Sequence, residues 1–287
     1  MGSAPRPRAR SERAGTVLAW ILGGSLLALF VLPLVALFLV TPLSSLEAAF
    51  ASPEVWTSLG FTAYASLVAL AISLVLGVPL GYVLARHSFR GRAVVESLVN
   101  LPIVLPHLVV GLALLALFAP NSPLGGFLVG LGFPVVGTIA GVIAVMVYVS
   151  APYTVLASEL AFRALDPKLS ETARCLGATP RRVLTTVSLP LASRGILTGA
   201  LLTWARSVSE IGGFLILAYL VYPSGIYQGP VTNPISVYVY NLYQAGFVSS
   251  ATAVAAVLVL IAFAIFLSVR LVERSGRLPW ARGALGP

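Results

Sequence analysis

Six runs of about 20 apolar residues constrain the fold of this chain more than any other feature. As a helix, each run is long enough to cross a hydrocarbon layer about 30 Å thick. The chain has 287 residues, of which 58% are hydrophobic and only 9% charged, whereas soluble domains carry about 25% charged residues. We therefore expect an all-α integral membrane protein with six transmembrane helices. The predicted spans are residues 17–40, 59–85, 98–119, 135–157, 196–221 and 248–271.

The positions of the basic residues predict the orientation of the chain. Of the 18 Lys and Arg residues, all but Arg206 lie beside apolar runs, in residues 6–13, 86–92, 163–194 and 270–282. The alternate connectors lack Lys and Arg, and basic connectors stay in the cytoplasm, so we expect both termini to be cytoplasmic. The predicted parts are a basic arm (1–16), a first helix (17–40), a membrane domain (56–271) containing a cytoplasmic segment (159–194, called the elbow below) and a tail (272–287).

The elbow carries the signals of two short capped helices. Asp166 is suited to accept hydrogen bonds from free amides at the start of the first helix, and Gly177 suits the left-handed turn that ends it. Thr179 marks the start of the second helix in the same way. We expect this second helix to stop at Leu189-Pro190, before the next apolar run begins.

The elbow also resembles the EAA loop of binding-protein-dependent ABC import permeases. Residues 171–173 read Glu-Thr-Ala, Gly177 follows after three residues, and residues 187–190, nine residues later, read Val-Ser-Leu-Pro. The family has Ala where this chain has Thr172 and Ile where it has Val187, and both changes are mild. The residues to which the resemblance assigns ATPase coupling are Glu171, Thr172, Ala173, Gly177, Leu189 and Pro190.

Three further segments resemble the molybdate, tungstate and sulfate branch of this family. They are residues 77–86, 101–106 and 205–212, and the resemblance extends over residues 56–269. It implies a second permease subunit, as a homodimer or a related pair, with two cytoplasmic ATP-binding subunits and an external oxyanion-binding protein in a prokaryotic plasma membrane. Relatives that carry iron, phosphate or polyamines have similar segments. Those solutes remain alternatives to molybdate or tungstate, which we prefer, and to sulfate.

The chain is not expected to hydrolyse ATP itself. A Walker loop needs Lys followed by Ser or Thr, whereas the single lysine, Lys168, precedes Leu169. Cys175 is the single cysteine and the chain has two histidines, too few for a metal cluster or a Ser-His-Asp triad. We expect a non-catalytic transport subunit with no cofactor and no nucleic-acid partner.

Arg206 and Glu210 are the charged residues that lie inside a predicted span and away from its ends. They lie four residues apart on one helix face, and Thr203 and Ser207 extend the polar stripe. One interpretation places these four residues on a translocation pathway where Arg206 attracts an anion. The other is an ion pair that only holds helices in register. We favour the pathway because intramembrane charges are costly, and we interpret His107 as a hydrogen-bonded packing residue.

Two other interpretations bear on these features. The elbow could be an ordinary cytoplasmic loop with two helical turns, and the chain could be a secondary transporter or channel, which needs no ATPase. Secondary carriers usually bury several ionisable residues, whereas the interiors of these spans hold two.

Glycines four residues apart also predict close helix contacts. These pairs are Gly77 and Gly81, Gly137 and Gly141, and Gly195 and Gly199.

The substitution Arg206→Gln separates the two interpretations of the polar stripe. If Arg206 attracts the transported anion, removing its charge lowers uptake while the elbow still binds its ATPase. Solute uptake into vesicles and co-purification of the ATPase measure the two properties. Unchanged transport would show that Arg206 has only a structural role.

Overall fold

The computed structural model describes residues 8–274, and the regular structure of this part of the chain is helical apart from two isolated β-bridges. This confirms the all-α prediction. The described residues form two compact units, residues 8–52 with Leu242–Arg270, and Pro53–Asn241 with residues 271–274. The helices are α1 (Arg8–Val40), α2 (Leu43–Ala51), α3 (Pro53–Arg86), α4 (Arg92–Val104), α5 (His107–Phe118), α6 (Pro123–Gly130), α7 (Ile139–Arg163), α8 (Pro167–Cys175), α9 (Pro180–Val183), α10 (Leu189–Val208), α11 (Gly212–Leu217), α12 (Ile235–Gln244) and α13 (Val248–Arg274).

Four of these helices, α1, α3, α7 and α13, are long and apolar enough to cross a membrane. They correspond to the first, second, fourth and sixth predicted spans. α1 begins at Arg8, ahead of the predicted start at residue 17, and α7 extends beyond its predicted end to Arg163. The remainder of the predicted arm, residues 1–7, and most of the predicted tail, residues 275–287, lie outside the described residues.

The prediction of one continuous helix over residues 98–119 is wrong. α4 and α5 meet at an angle of 116°. The two residues between them, Leu105 and Pro106, are extended, with ψ angles of 137° and 136°. Proline has no amide hydrogen and disfavours the helical conformation of the residue before it, so the helix breaks there. If this bent pair is one broken span, the described residues contain five candidate crossings.

The predicted continuous span over residues 196–221 is also wrong. α10 ends at Val208 and the short α11 begins at Gly212. At the break, the hydroxyl of Ser209 donates to the carbonyl oxygen of Arg206 at 3.0 Å, and a carboxylate oxygen of Glu210 accepts from the amide of Gly213 at 2.7 Å. Such bonds between side chains and backbone compete with the helical pattern. The polar stripe predicted within a helix therefore ends at a helix break.

The second elbow helix does not stop at Leu189-Pro190, contrary to the prediction. α9 continues through a π-helical turn, Leu184–Ser188, directly into α10. The amide of Leu189 donates to the carbonyl oxygen of Leu184, five residues earlier. A proline ring collides with the carbonyl four residues before it, and the wider π turn relieves this crowding. The elbow thus passes into α10 without a loop.

Glycines bring α3, α7 and α10 close together in the second unit. A Cβ atom added at Gly81 would lie 2.8 Å from the carbonyl oxygen of Val155, and one added at Gly199 would lie 2.4 Å from the Cβ atom of Ala157. These distances confirm the predicted close contacts of the first and third glycine pairs. Gly137 instead forms a turn before α7, with φ +69°, so its predicted role in helix packing is wrong.

The substitution Gly199→Ala should destabilise the protein by about 1–3 kcal/mol, because the new methyl group overpacks the contact between α7 and α10. Gly60→Ala is the matched control, since an added Cβ at that α3 position has no neighbour within 4 Å. Thermal unfolding of the detergent-solubilised protein measures both effects. Equal melting temperatures for the two variants would contradict the packing argument.

Candidate functional site

Glu210 is a buried carboxylate at the break between α10 and α11. Its side chain has no exposed surface. One oxygen, Oε2, lies 3.0 Å from Nη2 of Arg206 and 2.8 Å from Nδ1 of His107, and the other accepts from the amide of Gly213. A buried charge is stable only when it is paired and hydrogen-bonded; Arg206 and the amide of Gly213 donate hydrogen bonds to it, and His107 lies at ion-pair distance. We call Arg206, Glu210 and His107 the ionic centre.

The local sequence explains how three separate segments meet in the ionic centre. Arg206 lies in the last turn of α10, and His107 opens α5 directly after Pro106. A Cβ atom added at Gly212 would lie 2.5 Å from the Cβ atom of His107, so the start of α11 packs directly against the start of α5. The two helix breaks that the sequence analysis missed thus build the site.

The guanidinium group of Arg206 lies over the ring of His107. Its Nη2 atom is 3.4 Å from Nδ1 and 3.2 Å from Nε2. An atom almost equidistant from both nitrogens cannot lie in the ring plane without colliding with Cε1, so it lies over the ring face. The side chain of His107 is 48% exposed and that of Arg206 is 18% exposed. The ionic centre therefore combines a buried carboxylate with a partly exposed basic edge.

Two of the four predicted pathway residues are not part of the ionic centre. Thr203 and Ser207 are fully buried. The hydroxyl of Thr203 is hydrogen-bonded to that of Thr154 at 2.7 Å, and the hydroxyl of Ser207 donates to the carbonyl oxygen of Trp204 at 2.8 Å. In this conformation their hydroxyls therefore serve contacts of α10 with α7 and within α10.

His107 is the residue of the ionic centre that sequence reasoning did not assign to a site. The sequence analysis interprets it as a hydrogen-bonded packing residue, whereas the structure gives it a half-exposed ring in contact with Arg206 and Glu210. The available signal was Pro106, which placed His107 at the start of a new helix. The partnership with Glu210 joins residues 103 positions apart and has no local signature.

A second cluster of charges joins α4 to α7. Glu159 pairs with Arg163 and lies 3.3 Å from Arg92, and Glu96 lies 2.8 Å from Arg92 and 3.4 Å from Arg163. We call these four residues the ion cluster. In two of its pairs, Arg92 with Glu96 and Glu159 with Arg163, the partners lie four residues apart on the same helix. This spacing is a sequence signal that the sequence analysis did not use. The cluster attaches α4, the first half of the bent pair, to the end of α7 where the elbow begins.

The elbow has the caps that its sequence predicted. The carboxylate of Asp166 accepts from the amide of Lys168 at 2.9 Å, and Gly177 follows α8 with φ +87°. The hydroxyl of Thr179 accepts from the amide of Arg182 at 3.4 Å at the start of α9. These local bonds define the shape of α8 and α9.

The surface of α8 presents apolar side chains that the sequence analysis did not single out. Leu169, Ala173 and Leu176 share one helix face, and Leu176 is 84% exposed. A leucine so exposed at the end of a polar helix is available to a partner. The predicted coupling residues lie on the same elbow: Glu171, Thr172, Gly177, Leu189 and Pro190 are exposed, and Ala173 is half-buried.

An apolar cavity in the second unit does not fit a charged ligand. It has a volume of about 730 Å³ and is lined almost entirely by apolar side chains, among them Leu114, Phe118, Phe133 and Ile143. No residue of the ionic centre lines it. A desolvated anion would find no compensating donor there.

Comparison with known proteins identifies the family. Residues 77–277 match the family described as binding-protein-dependent transport system inner membrane component. The chain belongs to this family. Membership confirms the resemblance drawn from the elbow and the prediction of a transport subunit rather than an enzyme. The chain is an integral membrane protein of the ABC importer permease type.

Curated relatives support this membership over most of the chain. A molybdate/tungstate transport system permease protein WtpB of Thermococcus kodakarensis is 40% identical over 200 residues, covering 69% of this chain and 76% of the relative. A probable molybdenum ABC transporter permease of Haloferax volcanii is 36% identical, covering 92% and 91%. The molybdenum transport system permease protein ModB of Mycobacterium tuberculosis is 32% identical, covering 83% and 87%.

Solved structures show the same fold. A chain of a bacterial alginate ABC transporter, in complex with a periplasmic protein bound to an alginate pentasaccharide, has a TM-score of 0.65 at 19% identity, covering 95% of this chain and 98% of that chain. A chain of the MetNI methionine ABC transporter in an inward-facing conformation has a TM-score of 0.53 at 21% identity, covering 77% and 94%. The helical architecture is therefore that of ABC transporters.

The substitution Glu210→Gln should lower the free energy of unfolding by about 3 kcal/mol, because Arg206 loses its buried counter-charge. Glu47→Gln is the matched control, since Glu47 is exposed on α2. Thermal unfolding in one detergent compares the two variants. If both variants melt at the same temperature, Glu210 does not stabilise the fold through its charge.

Proposed function

We propose that this chain is the permease subunit of an ATP-driven importer of tetrahedral oxyanions, with molybdate or tungstate preferred and sulfate next. Two copies enclose the pathway in a prokaryotic plasma membrane, with their termini in the cytoplasm. Two cytoplasmic ATP-binding subunits bind the elbows, and an external binding protein delivers the anion. The chain contributes the path and the mechanical connection, while its partners contribute ATP hydrolysis and first recognition.

The observation that carries the choice of substrate is the similarity to permeases named for molybdate and tungstate. Identity reaches 40% with the Thermococcus kodakarensis protein and 36% over nearly the whole Haloferax volcanii protein. A probable sulfate transport system permease of Anthoceros angustus is 28% identical over 62% of this chain. This lower similarity supports the preference for molybdate or tungstate over sulfate.

The form of the elbow supports its role as the contact with an ATPase. α8 is capped at both ends, exposes Leu176, and lies in a segment rich in basic residues, as expected of the cytoplasmic side. An exposed leucine on a short rigid helix suits an apolar groove on a partner. Because α9 continues into α10 without a loop, a displacement of the elbow passes to α10 as a rigid-body movement.

The bent pair α4 and α5 provides a second connection from the elbow to the ionic centre. The ion cluster attaches α4 to the end of α7, next to the elbow. α5 begins at His107, which contacts Glu210. In this proposal, movement of the elbow changes the spacing of Arg206, Glu210 and His107 and so exposes or shields the positive charge that attracts the anion.

Reconstitution tests the proposed function. The chain is co-expressed with candidate ATPase and binding proteins, purified, and placed in vesicles that contain ATP. We expect co-purification of both partners and ATP-dependent uptake of molybdate and tungstate, with less sulfate. Accumulation of phosphate, iron or a polyamine instead would refute the oxyanion assignment, and ATP-independent transport would refute the importer.

The elbow is tested separately with Leu176→Asp. A charge at this exposed apolar position should reduce co-purification of the ATPase at least about tenfold, since a carboxylate is costly to bury in an apolar groove. Leu131→Asp is the matched control, because Leu131 is also exposed but lies between the third and fourth predicted spans, in a connector without Lys or Arg that we expect on the external side. Both variants should remain folded, and equal recovery of the ATPase with both would contradict docking through Leu176.

A further inference from the structure

We propose that a pocket between the end of α3 and the elbow helix α8 binds the phosphate headgroup of an anionic membrane lipid. The pocket has a volume of about 250 Å³, and we call it the elbow pocket. The inference rests on the proposed function for the position of the elbow at the cytoplasmic membrane surface. It goes beyond that function because the site is separate from the anion path. The lining residues that carry the argument are Tyr82, Arg86, His87, Ser170, Glu171 and Arg174.

The elbow pocket lies where the apolar run of α3 ends. No charged residue lies between Glu54 and Arg86, and Arg86 is the last residue of this helix, which is long and apolar enough to cross a membrane. Tyr82 lies one turn earlier on the same helix. A tyrosine and an arginine at the end of an apolar run are typical of the headgroup layer. A ligand in the elbow pocket is therefore at the depth of lipid phosphates.

Arg86 is held in position by the segment that joins α7 to α8. Its Nη2 atom donates to the carbonyl oxygen of Leu165 at 3.2 Å. The neighbouring ring of Tyr82 packs edge-on against Phe162 and His87, at 5.1 Å and 6.0 Å between ring centroids. A guanidinium group has five N–H donors, so the other donors of Arg86 stay available to a ligand.

Three further donors of the elbow pocket have no partner among the residues that the structure describes. They are the guanidinium group of Arg174 and the hydroxyls of Tyr82 and Ser170. Arg174 is unpaired although Glu171 lies three residues before it on the same helix. Phosphate oxygens are strong acceptors and pair well with arginine, so a phosphate group suits a pocket with unused donors.

The charge of the elbow pocket matches a phosphodiester. With His87 counted as neutral, Arg86, Arg174 and Glu171 leave one net positive charge. A phosphodiester carries one negative charge, whereas a terminal phosphate group carries about −1.5 to −2 at pH 7. The lipid diester is therefore the balanced ligand, and Glu171 can accept a hydrogen bond from a hydroxyl of its headgroup.

The elbow pocket leaves the proposed ATPase contact of α8 free. Leu169 and Leu176 lie on one side of this helix, whereas Ser170 and Arg174 lie on nearly the opposite side, since an α-helix turns by about 100° per residue. A lipid and the ATPase can therefore bind α8 at the same time. The bound headgroup would connect the elbow to α3, in addition to its connection to α10.

Lipid titration of the full chain in a neutral detergent tests the site without the ATPase or the transported anion. Native mass spectrometry measures binding of phosphatidylglycerol, with phosphatidylcholine as the lipid of no net charge. We expect Arg174→Gln to weaken phosphatidylglycerol binding about fivefold and Arg86→Gln with Arg174→Gln about 30-fold, because each arginine attracts an anionic lipid about fivefold. Arg181→Gln is the matched control, since Arg181 is an exposed arginine of the elbow outside the pocket, and it should bind as the wild type does.

Equal losses in Arg174→Gln and Arg181→Gln would overturn the inference, because the positive charge of the elbow alone would then attract the lipid. Equal wild-type affinity for the two lipids would also overturn it. Ser170→Phe fills the pocket without changing its charge, and wild-type affinity in this variant would show that the lipid binds elsewhere. If the double variant does not fold, Arg174→Gln decides, because this side chain has no partner among the described residues.

Two further measurements separate the alternatives. Displacement of phosphatidylglycerol by inorganic phosphate would assign the pocket to a free phosphate and overturn the lipid assignment. ATP-dependent uptake of tungstate into vesicles is measured independently. Uptake without specific phosphatidylglycerol binding refutes this inference alone, whereas phosphatidylglycerol binding without uptake of any oxyanion refutes the proposed function and leaves the lipid site.

Discussion

The carboxylate of Glu210 is the interaction on which the arrangement of the second unit depends. It is a charge with no exposed surface in a chain that is 58% hydrophobic, and it needs polar partners. Those partners are Arg206 at the end of α10, the amide of Gly213 at the start of α11 and, from a distant segment, His107 at the start of α5. Both helix breaks are thereby brought to one place. A continuous helix at either position would move a partner away from this carboxylate.

Two structural connections link the elbow to the ionic centre. One runs through the π turn into α10 and ends near Arg206, and the other runs through the ion cluster and the bent pair and ends at His107. Glu210 joins the ends of both connections. In the proposed function, a small displacement at the elbow would therefore change a site that shares no residue with it, because packed helices move as rigid bodies and the π turn replaces a flexible loop. The glycine contacts of α7 with α3 and α10 keep these helices at close spacing.

The parts of the fold that were predictable from sequence are those set by neighbours along the chain. The caps at Asp166, Gly177 and Thr179 depend on side chains within three residues of the amides they serve, and the structure confirms them. Apolar length predicted α1, α3, α7 and α13. The same reasoning failed at the break after Val208, because the run of apolar residues continues beyond it while the polar side chains of Ser209 and Glu210 bond to backbone groups.

The sequence by itself determined that the chain is a helical membrane protein with a capped elbow, since hydrophobic length and capping are local properties of the chain. It also placed Arg206 and Glu210 on one helix face, because a spacing of four residues is enough for that. Only the tertiary structure decided that His107 completes their pairing, that Thr203 and Ser207 face the interior, and that an ion cluster attaches α4 to α7. These contacts join residues far apart in the chain, and their energies depend on burial and distance, which exist only after the helices have packed.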